Sequence, residues 1–493
     1  MKVLMGCAQP STAATALFCA ERPFSAPYSD KIEALIGAGR FSPERDEVKV
    51  TEQGDRLLLL MGRPQEDDVR HLMKLIGTAV GAAKAERAAT LALDLTTYRG
   101  ALELRALIRL AVIAALEADY RFDEYKSEKK QDGIQELLLS CGDCPDASLQ
   151  QALSEGILLG EAVCAVRGVV NRTSRDMTPA RLAAWAAGRA EAAGCEVEIL
   201  GPTALEQKNA KALLSVSAGA VNPPAMVILR YRGNPEQPEE ITALLGKGIT
   251  YDSGGLSLKS KTGMITMHHD MGGAAAAAAA CSAAARMKAK NNLTAVLPIC
   301  ENMLSPTSYR PGDVIGTMNG KTVLIKSTDA EGRLVLADAM TYAIREEGAE
   351  VLVDIATLTG AARNAVGNRT APVLSNEDRL YRLLWQASQA SCEKIWRLNA
   401  DPELRGALTS AVADLKNSEI GAPSGGGCIV AGLFIQEFVE DKPWLHIDMA
   451  PVNFLQEAQS YCDKGATGYG VSLLYHLMKA MPDYFSSAKE ERI

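Results

Sequence analysis

The chain has 493 residues, 47% of them hydrophobic, with a formal net charge of −8 and an isoelectric point near 5.4. This length and composition allow a large buried core and favour two domains over one. Acidic residues are spread along the chain and no basic cluster is present, so the charge favours neither nucleic acid nor an anionic membrane as a partner. A small neutral or cationic substrate fits this charge better.

Cysteine usage predicts a reducing compartment, because the eleven cysteines are odd in number and mostly isolated in a chain too large to need disulfides. Cys141 and Cys144 form one C-x-x-C pair. No second pair or nearby histidine completes a zinc site, so an incidental loop pair is favoured over a metal or redox site. No segment is typical of a signal peptide or a membrane span, and we expect a soluble, cytoplasmic protein.

The first 140 residues alternate strand-like and helix-like patterns. Strands are predicted at Arg56–Met61, Ala89–Leu95 and Leu137–Cys141, and helices at Asp67–Arg87 and Leu102–Asp119. This pattern predicts a smaller N-terminal α/β domain over residues 1–147. Residues 148–170 are predicted to form one long amphipathic helix, which we interpret as a connection between domains.

Residues 171–493 are predicted to form a larger C-terminal α/β domain. Its predicted strands are Ala225–Tyr231, Ala243–Ile249, Thr294–Ile299, Glu350–Ile355 and Trp444–Met449. Apolar strands separated by helices indicate a mixed, mainly parallel sheet that helices cover on both faces. The alanine-rich run from Ala274 to Ala285 predicts a closely packed core helix.

The first candidate site segment is Asp329-Ala330-Glu331-Gly332-Arg333, where charged residues alternate with small ones. In an extended segment, the three charged side chains would share one face. The next residues read as a buried helix, whose N-terminus beside Arg333 would form an anion pocket. A surface strand with ion pairs is the alternative, although apolar flanks make it hard to solvate, and this segment alone does not decide between them.

The second segment runs from Gly246 to Lys259 and includes Lys247 and Asp252 before a Ser-Gly-Gly turn. A phosphate-binding loop is the competing interpretation. That motif needs a glycine five positions before the Gly-Lys pair and Ser or Thr after it, whereas this chain has Ile241 and Gly248. A nucleotide site is therefore disfavoured.

A third segment places Asp270 at the start of the alanine-rich helix, directly after His268 and His269. Adjacent histidines point in different directions on a regular element, and no His-Glu-x-x-His motif occurs in the sequence. With only five histidines in the chain, carboxylates must supply most ligands of any metal centre. The three segments together indicate an oxygen-rich metal site for hydrolysis.

These segments resemble the signature motifs of the leucine (cytosol) aminopeptidase family. The similarity covers Gly246–Lys259, Asp270–Ala275, Thr328–Leu334, Asp354–Ala361, the glycines at 425–427, Trp444–Asp448 and Gly465–Gly468. It spans about residues 170 to 480, whereas the first 140 residues show only a general α/β pattern. The sequence departs from the usual family residues at His268, where Lys or Arg is common, and at Ser327, where Asn is common.

The resemblance implies a set of site residues. Two divalent metal ions, Zn²⁺ or Mn²⁺ and alternatively Mg²⁺ or Co²⁺, would be bound by Lys247, Asp252, Asp270, Asp329 and Glu331, with Asp252 and Glu331 bridging. Lys259 and Arg333 would be the catalytic side chains, with bicarbonate held at Arg333. The substrate's first side chain would be bound by Met267, Thr357, Gly360 and Ala450, with the Leu358 backbone near the substrate.

The resemblance also implies an activity, which is metal-dependent removal of the N-terminal residue, leucine-like or otherwise apolar, from peptides. Two close metals can activate a water molecule while one of them binds the free amine of the substrate. Similar proteins are homohexamers, with sites at the C-terminal ends of strands. The alternatives are a DNA- or ligand-binding regulatory role of the N-terminal domain, although nucleic acid is a poor fit to the charge, and a peptidase-like scaffold without catalysis.

Overall fold

A computed structural model describes residues 1–6, 14–25, 27–62, 69–129, 133–142, 145–420, 425–459 and 462–490. The chain divides into two compact units. One comprises Met1–Cys164 and Leu455–Gly465, and the other comprises Ala165–Phe454 and Ala466–Ile493.

The first unit contains a six-stranded sheet with the order β1-β6-β5-β2-β4-β3, in which only β3 and β4 pair antiparallel. Two of its helices, α2 and α3, pack together. The elements are β1 (Lys2–Gly6), β2 (Ala14–Phe18), α1 (Ser29–Gly37), β3 (Val48–Gln53), β4 (Arg56–Met61), α2 (Val69–Ala85), β5 (Thr90–Asp94), α3 (Leu104–Asp119), β6 (Glu136–Ser140) and α4 (Ala147–Asn171), the last of which continues into the second unit.

The prediction of a smaller α/β unit at the N-terminus is confirmed. The start of the helix predicted from Asp67 lies outside the described residues, and α2 is described from Val69. Cys144 also lies outside them, so the interpretation of the C-x-x-C pair stays a prediction. The Sγ of Cys141 lies 3.7 Å from the carbonyl oxygen of Gly6.

The second unit contains a larger mixed sheet with the order β16-β15-β18-β14-β9-β11-β8-β7, and β10 also pairs with β11. The elements in chain order are α5 (Pro179–Ala192), β7 (Glu196–Leu200), α6 (Pro202–Gln207), α7 (Lys211–Ser217), β8 (Ala225–Arg232), β9 (Ile241–Gly246), β10 (Gly248–Asp252), α8 (Lys261–Met264), α9 (Gly272–Arg286), β11 (Asn292–Asn302), β12 (Val314–Gly316), β13 (Thr322–Leu324), α10 (Gly332–Arg345), β14 (Val351–Ala356), α11 (Ala361–Val366), β15 (Ala371–Ser375), α12 (Asp378–Ser391), β16 (Ile395–Arg397), β17 (Leu415–Lys416), α13 (Gly427–Gln436), β18 (Trp444–Asp448), β19 (Phe454–Leu455), β20 (Gly465–Ala466) and α14 (Val471–Glu490).

Parallel pairing joins β18, β14, β9 and β11 at the centre of this sheet. The strand β8 pairs antiparallel to both β11 and β7, whereas β15 pairs antiparallel to β18 and parallel to β16. The helix α9 packs on strands β9, β11 and β14 together with α5 and α14, and α10 contacts the same three strands together with α7 and α13. This arrangement confirms the predicted mixed, mainly parallel sheet with helices on both faces. Among the described helices, none combines the length and hydropathy that a membrane span needs.

The alanine-rich helix α9 approaches the sheet unusually closely because its facing residues are small. Every residue from Gly272 to Ala285 is buried. A Cβ atom at Gly246 would lie 2.5 Å from the carbonyl oxygen of Gly273, and one at Gly273 would lie 2.2 Å from that of Ile355. Any larger side chain at these positions would push the helix away from the strands, so the glycines and alanines set the height of the helix N-terminus above the sheet.

The prediction of one continuous strand at Ala243–Ile249 is wrong, because the chain is divided at Lys247 into two strands, β9 and β10. The Lys247 carbonyl accepts a hydrogen bond from Ala274 at the start of α9, and its N–H donates to the carbonyl of Ile355. The helix terminus thus takes one of the backbone bonds that a continuous strand would give to its neighbour. The break places Lys247 at the carboxyl end of β9.

Candidate metal centre

The polar residues of the site follow the carboxyl ends of neighbouring strands. Lys247 comes after β9, Asp252 ends β10, Thr357 comes after β14 and Asp448 ends β18. The parallel register of β9, β14 and β18 brings their carboxyl ends to one edge of the sheet. This is the edge where open α/β sheets place their ligands.

Three of the predicted metal ligands form one carboxylate cluster. Oxygen atoms of Asp252, Asp329 and Glu331 lie within 4.8 Å of one another. Asp252 and Glu331 are each 2% exposed, whereas the Asp329 side chain is 35% exposed and opens the cluster to solvent. Grouped carboxylate oxygens are the ligands that hard divalent cations prefer.

The remaining two predicted ligands join this cluster through the ammonium group of Lys247. Its Nζ lies 2.7 Å from Glu331 Oε1 and 2.9 Å from Asp270 Oδ2, and it donates to the Thr357 carbonyl at 2.9 Å. Asp270 is fixed in turn by the Thr357 hydroxyl, which donates to Asp270 Oδ1 at 2.6 Å. The structure therefore brings all five predicted ligands together.

Lys259 lies on the open side of the same cluster. Its Nζ is 2.7 Å from Asp252 Oδ2 and also contacts Asp329 Oδ1. Burial lowers the pKa of Lys259, but the carboxylates of Asp252, Glu331 and Asp329 outweigh burial and raise the pKa above its usual range. The Lys259 side chain therefore stays positively charged at neutral pH.

Carboxylates exceed cations in this cluster. Asp252, Asp270, Asp329 and Glu331 face only two ammonium groups, which leaves an excess of two negative charges when all are ionised. Burial and mutual repulsion raise the pKa of Asp329 to about 7, and burial raises that of Asp270 well above its usual range. The cluster is therefore short of positive charge.

One buried oxygen gives a direct test of whether divalent cations fit. Glu331 Oε2 has no hydrogen-bond partner among the described residues, although Glu331 is 2% exposed. An ionised carboxylate oxygen buried without a partner costs free energy, and a bound cation removes that cost. Together with the excess of carboxylates, this oxygen shows that the residues present fit an oxygen-ligated metal.

The segment from Asp329 to Arg333 is not extended. The prediction that its three charged side chains share one face of a strand is therefore wrong. Asp329 lies in a turn, and the Glu331 carbonyl already accepts bonds from the N–H groups of Leu334 and Val335 at the start of α10. A Cβ atom at Gly332 would lie 2.7 Å from Lys247 Nζ, so only glycine leaves room for that ammonium group. Asp329 and Glu331 therefore converge through a turn into a helix.

Arg333 lies in the first turn of α10 and is 5% exposed. Its Nη1 donates to the Asn417 carbonyl at 2.7 Å, whereas its Nε has no hydrogen-bond partner among the described residues. Burial lowers the pKa of Arg333 from its ordinary value, but a guanidinium group remains charged at neutral pH. A buried cation with a spare donor at a helix N-terminus fits the predicted anion pocket.

The residues predicted to bind the substrate side chain lie on the loops after β14 and β18 and near α8. Thr357 is buried and bonded to Asp270, and Leu358 and Ala450 are half-buried. Gly360 is exposed, and a Cβ atom at this position would meet no other atom within 4 Å. Both the Leu358 and Ala450 N–H groups donate to Asp448 Oδ1. Met267 is half-buried in a short 3-10 helix, and no described hydrogen bond joins it to the others.

Three polar residues organise the site although no role was predicted for them from the sequence. Asn302, at the end of β11, donates to Asp252 Oδ1 at 2.8 Å and to the Thr328 carbonyl at 2.9 Å. Asn417 accepts from the Lys326 and Ser327 N–H groups and donates to the Ser327 carbonyl. Asp448 is the third. Asn302 and Asp448 end apolar strands, as Asp252 does, and that position was the available signal.

The two adjacent histidines do not join the carboxylate cluster. His269 stacks on Phe454 with ring centroids 4.9 Å apart, and His268 meets the same ring edge-on at 5.7 Å. Burial lowers the pKa of His268, and burial also lowers that of His269 to about 3. Both rings are therefore neutral at pH 7, and they serve as an aromatic wall beside Asp270.

A carboxylate cluster with one buried lysine and a second lysine at its open side, at the carboxyl ends of parallel strands, defines the class as a metal-dependent hydrolase. Comparison with known proteins is more specific. Residues 164–475 match the family model described as the cytosol aminopeptidase family, catalytic domain, and residues 9–129 match the N-terminal domain of the same family.

Several relatives and solved structures are similar over nearly the whole chain. A probable cytosol aminopeptidase of Clostridium perfringens is 38% identical over 86% of this chain and 86% of its own length, and one of Alkaliphilus oremlandii is 37% identical over 91% of each. A mutant of tomato leucine aminopeptidase superposes with a TM-score of 0.86 at 28% identity, covering 97% of this chain and 96% of its own. The bottromycin maturation enzyme BotP gives 0.84 at 30% identity, covering 96% and 100%.

The chain belongs to the cytosol aminopeptidase family, and it is a metal-dependent aminopeptidase that acts on peptide substrates.

Proposed function

We propose that this aminopeptidase removes leucine-like and other apolar N-terminal residues, using two divalent metal ions bound by Lys247, Asp252, Asp270, Asp329 and Glu331. The unbonded Glu331 Oε2, buried inside the carboxylate cluster, is the observation that carries this proposal. The bound metals would supply an activated water molecule and a Lewis acid for the peptide carbonyl. Zn²⁺ and Mn²⁺ are the leading candidates, with Mg²⁺ and Co²⁺ next, and a solved structure of BotP is in complex with Mn.

The lysines of the site have different tasks in this proposal. Lys247 has to lose its proton to act as a ligand, because an ammonium group has no lone pair to donate. Lys259 stays charged and donates a hydrogen bond from Nζ to the oxyanion that develops on the substrate carbonyl. The geometry supports the division, since Lys247 is 2% exposed inside the cluster and Lys259 lies at its open side beside Asp329.

Arg333 completes the catalytic set by holding an anion, for which we propose bicarbonate. Bicarbonate would supply a proton acceptor and donor for the attacking water, a task that no histidine of the site can perform, because both nearby imidazoles are bonded or packed elsewhere. The spare Nε donor of Arg333 and the rigid anchor of its Nη1 on Asn417 support this role. The Arg333 guanidinium would then orient the anion beside Glu331, which lies two residues before Arg333 in the chain.

The preference for apolar N-terminal residues rests on the proposed pocket of Met267, Thr357, Leu358, Gly360 and Ala450. Their side chains are apolar or absent, except for the Thr357 hydroxyl, which donates its hydrogen bond to Asp270. A pocket without free polar groups favours an aliphatic side chain over a charged one. Gly360 leaves open space for a large side chain such as that of leucine.

We expect activity to require a free N-terminal amine, because the amine would anchor the substrate at the metals held by the proposed ligand residues. The purified protein with Mn²⁺ or Zn²⁺ should release p-nitroaniline from leucine p-nitroanilide. It should turn over the N-acetylated analogue more slowly by a factor of at least about 10³. The two substrates share the scissile bond and the side chain. Equal turnover of both would contradict exopeptidase action, and no turnover of any aminoacyl substrate would contradict the function.

The assembly and compartment are proposed from similarity and composition. We propose a homohexamer from the resemblance to the family. We also propose a cytoplasmic location, which the relatives' name as cytosol aminopeptidases and the isolated cysteines support. We also propose domain limits at residues 1–147 and 171–493, with 148–170 as a connecting helix. Residues 9–129 match the family's own N-terminal domain, and the net charge of −8 disfavours the alternative of a DNA-binding role.

A further inference from the structure

Asp448 is a buried carboxylate to which the catalytic scheme gives no task. It ends β18, is 1% exposed, and its two oxygens accept four hydrogen bonds. Oδ1 accepts from the N–H groups of Leu358 at 3.0 Å and Ala450 at 3.1 Å, and Oδ2 accepts from the N–H and hydroxyl of Thr359 at 3.1 and 2.8 Å. Bonds between a charged acceptor and backbone N–H groups are stronger than neutral ones.

These four bonds join two separate loops of the second unit. Leu358 and Thr359 belong to the loop after β14, whereas Ala450 belongs to the loop after β18. Each loop carries residues of the proposed substrate pocket. One carboxylate therefore sets the distance between the two walls of that pocket, and Arg363 Nη2 adds a bond to the Ala450 carbonyl at 3.3 Å.

Side-chain hydrogen bonds also join the two strands, β14 and β18, from which these loops extend. Asp354 on β14 lies opposite His446 on β18 in the parallel register, and Asp354 Oδ1 is 2.6 Å from His446 Nδ1. Trp444 Nε1 donates to the other oxygen of Asp354 at 2.7 Å, and all three side chains are 0% exposed. Two residues further along both strands, Ala356 of β14 pairs with Asp448 of β18 on the same side of the sheet. Side-chain hydrogen bonds therefore hold β14 and β18 together up to the residues where the two loops begin.

We propose that Asp448 is the positioning residue that sets the specificity of the enzyme for the first side chain of the peptide. It acts through the backbone at Leu358, Thr359 and Ala450, and none of its described hydrogen bonds goes to the metal-binding residues. Without these bonds, the two loops separate and the pocket loses its fit to a large aliphatic side chain. This inference rests on the pocket proposed above.

The test compares three variants of the full-length, metal-loaded protein on leucine and alanine p-nitroanilides. Asp448→Asn replaces one acceptor oxygen by a donor. Thr359→Val removes the hydroxyl bond to Asp448 together with the bond that this hydroxyl accepts from the Ala362 N–H, while the matched control Thr359→Ser keeps both. We expect the leucine-to-alanine ratio of kcat/KM to fall about tenfold in Asp448→Asn and about threefold in Thr359→Val, chiefly through KM for leucine, and to stay within about twofold in Thr359→Ser. Bound metal and the melting temperature are measured alongside.

The outcomes separate this inference from the function itself. A wild-type protein without turnover of either substrate would overturn the proposed function, whereas an active wild type with an unchanged ratio in Asp448→Asn and Thr359→Val would overturn only the role of Asp448. If Asp448→Asn does not fold or loses its metals, the comparison of Thr359→Val with Thr359→Ser tests the role of Asp448. A Val variant equal to the Ser variant in ratio and KM then overturns the proposal.

Discussion

Glu331→Gln should lower kcat/KM for leucine p-nitroanilide by about 10³-fold or more, because it removes the carboxylate proposed to bridge the two metals. The side chain keeps its shape, so that the packing around Lys247 changes little. One of the two oxygens that hold cations becomes an amide nitrogen, which is a donor and cannot bind a metal. Bound metal, measured on the same protein, should fall by at least one ion per chain.

The matched control is Glu346→Gln, at the other end of the same helix. Glu346 pairs with Lys208 at the surface, and such exposed pairs contribute little to stability. We expect activity and metal content within about twofold of the wild type. Wild-type turnover by Glu331→Gln would show that the bridging role is wrong.

Lys259→Met should lower kcat by about 10²- to 10³-fold while leaving the metal content unchanged, because Lys259 is proposed to stabilise the oxyanion and not to bind metal. Methionine keeps the length of the aliphatic stem but has no ammonium group. Because the lost interaction forms in the transition state, KM should change much less than kcat. Steady-state kinetics with leucine p-nitroanilide separate the two constants.

The structure offers a competing role for Lys259, as a counter-ion that merely neutralises Asp252 and Asp329. In that case Lys259→Met would bind metal more tightly and keep its kcat. The control is Lys261→Met, an exposed lysine two residues further along the chain, which should behave like the wild type. A full kcat in Lys259→Met would therefore remove Lys259 from the catalytic set.

Most of the fold follows from hydrophobic patterning. The strands of the larger unit that the sequence predicted are buried on both sides, and such strands read as continuous apolar runs. The break at Lys247 could not be predicted, because it depends on a hydrogen bond from Ala274, a residue that is distant in sequence and belongs to a helix on the sheet face. Local pattern carries no information about such a tertiary contact.

The site separates in the same way into predictable and unpredictable parts. The proposed ligand residues were recognisable because charged groups beside glycine in apolar surroundings are rare, and the resemblance to the family implies their role as ligands. The convergence of Asp329 and Glu331 was predicted through an extended strand, whereas a turn leading into α10 achieves it. Asn302 and Asp448 were missed because a polar residue that ends a strand is common, and only the folded chain shows that they bond to Asp252 and to the loop backbone.

The most direct test of the central claim is a titration of chelator-stripped protein with Mn²⁺ or Zn²⁺, in which bound metal and hydrolysis of leucine p-nitroanilide are measured on the same samples. We predict no turnover in the stripped protein and an activity that rises to its maximum as two ions bind per chain. Undiminished turnover by protein that contains no divalent metal would contradict the account.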